Sequence, residues 1–348
     1  MNSNRSPLKP APLKAGSRVA LFAPGFTFRS EKFEAGRAAL EKTYGVKTAC
    51  LDTAFERDGY FAGSDQRRLD ELYHWLTDAK TAALLAIRGG YGTARIYPAL
   101  LERLRATKNL IPKIVMGYSD VTILLNGLFQ DLGWITFHGP VLVSHVFQET
   151  VQQQDASLEV ARNARIETET FRTALFTAQP LAPLRHADSK ILFPGSARGR
   201  LVGGCLSLIA SSIGTPYEIK ADGRILFLED AGERPYRIDR MLTQLIHAGL
   251  LDRVNGIVFG KMAACDPPPA QEFGHDTPDV IAAIREALAP LLARRPMPVA
   301  YDFPAGHGRP QATFPIGCEV ELRADGPAPE LRFLESACEP ASRDTRRQ

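Results

Sequence analysis

The sequence predicts an α/β fold in which a parallel sheet flanked by helices forms the N-terminal half and a second α/β domain follows. Short apolar runs alternate with segments of helical periodicity between residues 18 and 137, which is the pattern of parallel strands joined by helices. A chain of 348 residues is long enough for two domains or one large one. A second series of apolar runs begins near Lys190, where we expect the second domain to start.

Five apolar runs predict the strands of the N-terminal sheet. They cover residues 18–22, 46–51, 82–87, 114–116 and 134–137. Helices are predicted near residues 31–42, from the N-cap at Ser64 or Asp65 to about residue 76, and over residues 93–105 and 121–132. The carboxyl ends of parallel strands share one edge of a sheet, where ligands bind. The residues that follow these strands are expected at that edge: Gly25, 88–92, Ser119 and His138.

The segment around Ser119 predicts a tight turn that presents a hydroxyl group. Residues 114–116 form a short apolar strand, Gly117 ends it, and apolar residues then recur at helical spacing over residues 121–132. Ser119 therefore lies between a strand and a helix N-terminus, where the next backbone N–H groups and the positive end of the helix dipole point to one place. This is the arrangement of a nucleophile elbow.

A structural interpretation of Ser119 is also open. The usual elbow motif is Gly-x-Ser-x-Gly, and this chain has Gly117-Tyr-Ser-Asp-Val, without the second glycine. Ser119 could instead be the N-cap of the helix, with Asp120 in the first turn to suit the helix dipole. The local pattern does not decide between the two, so the decision depends on partners elsewhere in the chain.

The second half of the chain shows further strand–helix alternation after a dissimilar segment. Residues 149–176 are polar and weakly periodic. Beyond Lys190, strands are predicted at residues 200–202, 225–228, 257–259, 299–303, 318–322 and 331–334, and helices at 238–246 and 278–292. We therefore expect five regions: a flexible N-terminal segment (1–15), an N-terminal domain with the nucleophile (16–145), a linker with some helix (146–189), a C-terminal domain (190–335) and a flexible tail (336–348).

Composition and charge exclude several classes of protein. A net charge of +3, without a run of Lys or Arg, gives no support for a nucleic-acid partner. No stretch approaches 18 consecutive apolar residues and the N-terminus lacks the apolar core of a secretory signal, so neither a membrane span nor export is predicted. The five cysteines are scattered, without a Cys-x-x-Cys motif or Cys/His cluster, which favours the reducing cytoplasm and predicts no zinc site.

An activated serine needs a base and a third group that orients the base. His307 lies between two glycines, which would allow a loop to carry its imidazole close to another backbone, although it could also be an ordinary turn residue. His138, after a predicted strand, is a second candidate base. Glu229 ends the apolar run 225–228 and could hold an imidazole, with Asp230 competing for that role.

A glycine-rich loop, Gly89-Gly-Tyr-Gly, follows the strand predicted at residues 82–87. It could cradle a phosphate, but it lacks the Lys-Ser/Thr pair of a P-loop. It could equally direct one backbone N–H toward an oxyanion. The loop is thus a candidate binding element, and the residues alone do not decide between these two functions.

Taken in order, eight short motifs resemble those of the LD-carboxypeptidase family of serine peptidases. They are Ala62-Gly-Ser-Asp, Ala86-Ile-Arg-Gly-Gly-Tyr-Gly, Gly117-Tyr-Ser-Asp-Val-Thr, His138-Gly-Pro, Gly199-Arg-Leu-Val-Gly-Gly, Ile225-Leu-Phe-Leu-Glu-Asp, Pro235-Tyr-Arg-Ile-Asp-Arg and Gly306-His-Gly. The matches extend over nearly the whole chain. One departure is Ala23-Pro-Gly, where the family often carries a serine after the proline.

The resemblance implies a cytoplasmic serine carboxypeptidase that uses no metal or other cofactor. It implies Ser119 as nucleophile, Glu229 as orienting acid and His307 as base, with the backbone N–H groups of Gly90 and Asp120 as the oxyanion hole. It also implies an N-terminal domain like the class I glutamine amidotransferases, a smaller swivelling C-terminal α/β domain, and a homodimer. A non-catalytic binding module is the competing interpretation, but it would have no need of all three triad residues.

The substrate implied by the resemblance is a murein tetrapeptide, cleaved before its terminal D-alanine in cell-wall recycling. A sister branch hydrolyses peptide-nucleotide antibiotics of the microcin C type in self-immunity. Nucleobases usually stack on an aromatic platform, and both tryptophans are expected in the core, which favours the peptide. Arg88, Gly89 and Tyr91 are the expected substrate-binding residues, with Arg88 holding the terminal carboxylate unless it pairs with Asp120 or another acid.

Overall fold

Two sheets, each with its own helices, organise the described chain. The computed structural model describes residues 6–148, 157–266 and 278–340. The first compact unit comprises Met1–Leu181, Ala312–Cys318 and Glu335–Gln348, and the second comprises Ala182–Gln311 and Glu319–Leu334. The chain therefore returns to the first unit twice after it has entered the second.

The first unit is built on a six-stranded sheet. Its strands are β1 (Arg18–Phe22), β2 (Lys47–Ala49), β3 (Ala83–Ala86), β4 (Ile114–Gly117), β5 (Thr136–His138) and β11 (Phe314–Ile316). Its helices are α1 (Ser30–Tyr44), α2 (Asp65–Thr77), α3 (Thr93–Ala106), α4 (Thr122–Leu132), α5 (His145–Gln148) and α6 (Leu158–Phe176). The strand order is β11-β5-β4-β3-β1-β2, and all neighbours are parallel except β11 and β5. The predicted α/β fold is confirmed for this unit.

Local sequence explains how the elements of the first unit begin and end. Strands β3 and β4 are buried along their whole length, as strands covered on both faces must be. Helix α2 begins at its predicted cap, where Ser64 Oγ accepts a hydrogen bond from the N–H of Arg67. Helix α4 ends at Gly133, which adopts the left-handed conformation typical of a helix C-terminus. These boundaries bring the residues after β1, β3, β4 and β5 to one edge of the sheet.

The second unit contains a seven-stranded mixed sheet. Its strands are β6 (Lys190–Phe193), β7 (Gly195–Cys205), β8 (Ile225–Ala231), β9 (Gly256–Ala263), β10 (Val299–Tyr301), β12 (Glu319–Ala324) and β13 (Glu330–Phe333). Its helices are α7 (Leu206–Ser212), α8 (Pro235–His247) and α9 (Val280–Arg294). The order is β13-β12-β7-β8-β9-β10-β6, with β7 to β10 parallel and the outer strands antiparallel. Across the described residues of both units, no helix is long and apolar enough to cross a bilayer.

Strand β11 corrects the predicted C-terminal domain of residues 190–335. The sequence pattern predicts no strand at β11, and residues 312–318 fall in the first unit. Phe314 and Ile316 are fully buried there, and the strand pairs with β5. A short apolar run shows that a strand can form, but it does not specify which sheet the strand will join.

The N-terminal segment is hydrogen-bonded to the first unit from Leu8 onward, which corrects the prediction of a flexible stretch over residues 1–15. Leu8 forms an isolated bridge with Trp134, and Leu13 is buried. Isolated apolar residues in a Pro- and Lys-rich context give no periodic signal, so the pattern does not predict the bridge at Leu8 or the burial of Leu13. Residues 1–5 lie outside the described part of the chain.

The C-terminal tail also belongs to the first unit. Cys338 is fully buried, and its Sγ donates a hydrogen bond to the carbonyl oxygen of Ala174, 3.2 Å away. The flexible tail predicted for residues 336–348 is therefore wrong as far as residue 340, where the description ends. The polar composition of the segment gives no sign that Cys338 is buried.

The predicted linker of residues 146–189 contains a full helix. Helix α6 has 19 residues and begins where Ser157 Oγ accepts a hydrogen bond from the N–H of Val160. It buries Phe171 and Leu175 within the first unit. The apolar residues on the buried side of α6 are few and widely spaced, so the polar composition of the segment gave no strong helical periodicity. Residues 149–156 of the predicted linker lie outside the described part of the chain.

Candidate active site

Ser119 occupies a strained turn at the carboxyl end of β4. It is the first residue of a 3₁₀ turn, Ser119–Val121, which leads directly into α4. Its φ of 61° is in the left-handed region, which costs a non-glycine residue about 1–3 kcal/mol. Gly117 allows the sharp reversal, because a Cβ there would lie only 2.9 Å from Val121 and 3.0 Å from Ala86. The geometry is that of the predicted elbow, despite the missing second glycine.

The alternative interpretation of Ser119 as a helix cap is wrong. The N-cap of the 3₁₀ turn is Tyr118 and that of α4 is Val121, and neither cap is made by a side-chain hydrogen bond. The hydroxyl of Ser119 is therefore not used to begin either helix. Helix capping therefore does not explain the left-handed φ of Ser119.

Asp120 caps a different helix from the one it precedes. Its fully buried carboxylate accepts hydrogen bonds from the N–H of Gly92 (3.1 Å), the N–H of Thr93 (2.9 Å) and the hydroxyl of Thr93 (2.6 Å). Burial raises the pKa of Asp120, although these hydrogen bonds favour the carboxylate. The interactions tie the elbow to the glycine-rich loop at the N-terminus of α3.

The glycine-rich loop runs directly beside Ser119. A Cβ on Gly89 would lie 2.7 Å from the Cβ and 3.0 Å from the Oγ of Ser119. Gly90 has a φ of 114° and packs against the ring of Phe26, where a Cβ would approach within 2.4 Å. Side chains are therefore excluded at both positions, and backbone N–H groups can approach the serine. The oxyanion-hole role of the N–H groups of Gly90 and Asp120 remains a prediction.

Arg88 and Tyr91 flank this loop with exposed side chains. Arg88 Nη1 donates a hydrogen bond to the carbonyl oxygen of Thr27 (3.0 Å), and the guanidinium lies 5.7 Å from the ring centre of Phe26. The described contacts of Arg88 and of the Asp120 carboxylate are with other residues, Thr27 in the first case and Gly92 and Thr93 in the second, so the suggested ion pair between them is not seen. Tyr91 is 41% exposed. Both residues are accessible to a ligand.

The second unit brings Glu229 and His307 together. Glu229 lies near the carboxyl end of β8, and His307 lies in the loop after β10. Nδ1 of His307 is 2.6 Å from Oε2 of Glu229, and the same oxygen accepts the backbone N–H of His307 at 3.0 Å. Gly306 permits this approach, because a Cβ there would lie 2.6 Å from Oε2 of Glu229. The glycine beside the histidine thus serves the close backbone contact that the sequence predicts.

The surroundings of His307 favour its protonated imidazolium form more than water does. Burial lowers the pKa of His307, but the charge and hydrogen bond of Glu229, together with the charge of Asp230, raise it by more, so the pKa lies above its usual value of 6.5. Glu229 is completely buried, while the His307 side chain is 21% exposed. A histidine proton on Nδ1, shared with the carboxylate, leaves the lone pair of the neutral ring on Nε2. This is the arrangement that orients a general base.

His138 and Asp230 have different surroundings from this pair. His138 is fully buried on β5, where it pairs with Gly117 of β4 and Phe314 of β11. Asp230 accepts hydrogen bonds from the N–H groups of Ser207 (2.7 Å) and Ala231 (2.8 Å). Neither residue makes the His–Glu contact, so Glu229 and His307 are the better candidates.

Sequence patterns missed the ion pair that holds the His307 loop. Lys261 Nζ lies 2.8 Å from Oδ1 of Asp302, whose φ is 64°. The backbone N–H of Lys261 also donates to the carbonyl oxygen of Ala305 (2.8 Å). A lone lysine in a strand gives no sequence signal that it will form this ion pair.

In the described ranges, no group of three or more His, Cys, Asp or Glu side chains could hold a metal ion.

Comparison with known proteins places both units in one family. A family model described as the LD-carboxypeptidase N-terminal domain matches residues 19–139, and one described as the LD-carboxypeptidase C-terminal domain matches residues 198–322. The two models together match more than half of the chain. They cover Ser119 in one case and Glu229 and His307 in the other.

Relatives support the same assignment over most of the chain. A Bacillus subtilis (strain 168) protein named "Probable murein peptide carboxypeptidase" is 33% identical over 314 residues, 90% of this chain and 91% of its own. The Escherichia coli protein named "Microcin C7 self-immunity protein MccF" is 26% identical, over 92% of this chain and 94% of its own. The crystal structure of a muramoyltetrapeptide carboxypeptidase from Oxalobacter formigenes has the same fold, with a TM-score of 0.72 at 24% identity, over 92% of this chain and 99% of that one. The chain belongs to the LD-carboxypeptidase family and is a carboxypeptidase.

Proposed function

We propose that the protein is a serine-type LD-carboxypeptidase in which Ser119 is the nucleophile, His307 the general base and Glu229 the group that orients the base. The observation that carries the proposal is the 2.6 Å contact between Nδ1 of His307 and the buried carboxylate of Glu229. It is the base–orienter contact of a catalytic triad. The strained turn at Ser119, which caps no helix, supports its role as nucleophile.

The proposed reaction proceeds through an acyl-enzyme. Oγ of Ser119 attacks the carbonyl carbon of the scissile bond, and its proton passes to Nε2 of His307. The N–H groups of Gly90 and Asp120 stabilise the oxyanion of the tetrahedral intermediate. Collapse breaks the C–N bond, and the imidazolium gives its proton to the departing amine. Water, deprotonated by His307, then hydrolyses the acyl-serine and restores the enzyme.

The substrate we infer is a murein tetrapeptide, cleaved at the L,D bond before its terminal D-alanine. The 33% identical relative is named for murein peptide, whereas the relative named for microcin immunity is 26% identical. A carboxypeptidase must recognise a free carboxylate, and the exposed guanidinium of Arg88 beside Gly89 and Tyr91 offers a fork of donors for it. These three residues are the proposed substrate contacts.

The proposed setting is cell-wall recycling in the cytoplasm, with the protein acting as a homodimer. The five cysteines are thiols in the structure, which suits a reducing compartment. The net charge of +3 gives no electrostatic reason to expect a nucleic-acid partner. Sedimentation measured across a range of protein concentrations tests the dimer.

Release of D-alanine tests the proposed activity. The purified protein is incubated with murein tetrapeptide, and tripeptide and D-alanine are measured by mass spectrometry. Ser119→Ala is expected to lower kcat by about 10³-fold or more, while Ser211→Ala, at an exposed serine of α7, should change it less than about twofold. Near-normal turnover by a folded Ser119→Ala protein would refute the assignment of the nucleophile.

One observation favours a second substrate class. Tyr60 is 55% exposed and packs against Phe26, which itself packs on Gly90 of the glycine-rich loop. Exposed aromatic rings can stack a nucleobase, for about 1–3 kcal/mol per base. A peptide-nucleotide of the microcin type is therefore the alternative. The comparison to make is kcat/KM for murein tetrapeptide against an aminoacyl sulfamoyl adenylate, and a preference of about tenfold for the adenylate would replace the peptide.

A further inference from the structure

A fully buried arginine lies beneath the glycine-rich loop. The side chain of Arg68, from helix α2, has no exposed surface. Its Nη1 donates a hydrogen bond to the carbonyl oxygen of Pro24, its Nη2 pairs with Asp65, and its guanidinium lies 4.4 Å from the ring centre of Phe61. Burying a guanidinium is costly unless its donors are used, and two of its three nitrogens are used here.

The guanidinium meets two backbone segments that belong to the candidate active site. A Cβ on Gly92 would lie 2.3 Å from Nη1 of Arg68 and 3.1 Å from the Cα of Gly25. The segment after β1 and the glycine-rich loop are therefore packed on each other around the arginine. A side chain at Gly92 would displace the arginine, and one at Gly25 would collide with Asp120 and the backbone of Tyr91.

Gly25 carries this packing on to the elbow. A Cβ on Gly25 would lie 2.7 Å from Oδ2 of Asp120 and 3.0 Å from the carbonyl oxygen of Tyr91. Asp120 in turn holds the N–H groups of Gly92 and Thr93. The contacts form a continuous series from Arg68 through Gly25 to the residue that follows Ser119.

We propose that Arg68 is a positioning residue that fixes the direction of the oxyanion-hole N–H groups. Its guanidinium holds the carbonyl of Pro24, and thereby Gly25, against Asp120 and the glycine-rich loop that contains Gly90. This inference rests on the proposed roles of Gly90 and Asp120. Arg68 does not touch the reacting atoms; it acts through backbone that does.

The geometry requires arginine and not merely a positive charge. One planar fork reaches Pro24 on one nitrogen and Asp65 on the other, while its face covers Phe61. A lysine ammonium is a point donor that cannot keep these three contacts at once. Arg68→Lys should therefore retain the charge but lose the positioning.

Steady-state kinetics with murein tetrapeptide test the proposal. Arg68→Lys is expected to lower kcat by about 10- to 10²-fold with KM within about twofold, because oxyanion contacts act in the transition state. The pH at which activity falls on acidification should stay at the wild-type value, since Glu229 and His307 are untouched. The matched control is Arg103→Met, which removes the α2–α3 ion pair with Asp70 away from the loop and should change kcat less than about twofold.

A second readout separates this inference from the substrate proposal. The rate at which a fluorophosphonate labels Ser119 depends on the oxyanion hole but not on the peptide. Arg68→Lys should slow labelling by a similar factor, even if D-alanine release is absent in the wild type. If Arg68→Lys does not fold, Gly25→Ala perturbs the same series at Asp120 and should show the same loss. A folded Arg68→Lys or Gly25→Ala protein with wild-type kcat and labelling rate would overturn the proposal.

Discussion

Replacing Glu229 with glutamine tests the electrostatic role that the structure gives this carboxylate. The substitution keeps the shape of the side chain and removes its charge. Below its pKa, His307 is protonated and cannot accept the serine proton, so wild-type kcat/KM should fall as pH drops through a value above 6.5. Without the negative charge of Glu229 the imidazolium is less stable, and the acid limb should move to lower pH.

The size of the rate loss follows from the two hydrogen bonds at Glu229. Oε2 accepts both Nδ1 of His307 and its backbone N–H, and a glutamine oxygen can keep the backbone contact. The loop should therefore stay in place while the base loses its charged partner. General-base catalysis contributes about 10²–10⁴-fold, and we expect a loss near the lower end, about 10²-fold or ~2.7 kcal/mol.

The assay is a pH series of kcat/KM for D-alanine release, with thermal unfolding as the check on folding. Glu321→Gln is the matched control, because Glu321 is a buried carboxylate of the same unit that pairs with Arg198 and Arg323 instead of a histidine. It should leave the acid limb unchanged. A folded Glu229→Gln enzyme with wild-type rate and an unmoved acid limb would show that the carboxylate does not set the state of His307.

Three further perturbations have defined outcomes. Gly89→Ala places a methyl group 2.7 Å from the Cβ of Ser119 and should lower kcat at least about tenfold in the D-alanine assay; normal activity would mean that the loop can yield. Lys261→Met removes the 2.8 Å ion pair with Asp302 beside the His307 loop and should lower kcat. It should also lower the melting temperature in calorimetry by a few degrees, since the lost pair is worth about 1–3 kcal/mol of unfolding free energy. An unchanged kcat would show that the ion pair does not contribute to catalysis. Dialysis against EDTA should leave kcat within about twofold, because the proposed serine mechanism needs no metal; activity lost and then restored by zinc would contradict it.

Strand and helix positions in each unit were largely predictable because they depend on local pattern. The apolar run at residues 18–22 is strand β1, and the cap at Ser64 begins α2. What local pattern could not supply is the partner of a strand. Phe314 and Ile316 read as apolar residues of the C-terminal half, yet they complete the first sheet beside β5. Pairing over such a separation depends on tertiary packing that no short window contains.

The candidate site likewise has one part that the local sequence pattern predicts and another part that it does not. The strand–Gly–x–Ser–helix pattern predicts the elbow at Ser119, because a turn of that kind is a local property. The contact between Glu229 and His307 joins residues 78 positions apart, and local pattern left each of them with an ordinary alternative. Family resemblance selected the pair. The positioning role proposed for Arg68 has no sequence signal, since a buried arginine on an amphipathic helix has the same local pattern as an exposed one.

We propose that Ser119 and His307 act as one catalytic group. The most direct test is a double-mutant cycle on kcat for D-alanine release. If the two residues act together, the double substitution Ser119→Ala/His307→Ala should be no slower than either single one, within about threefold, because each alone already removes the proton transfer. Losses that multiply, so that the double variant is about 10³-fold slower than each single variant, would contradict a shared mechanism.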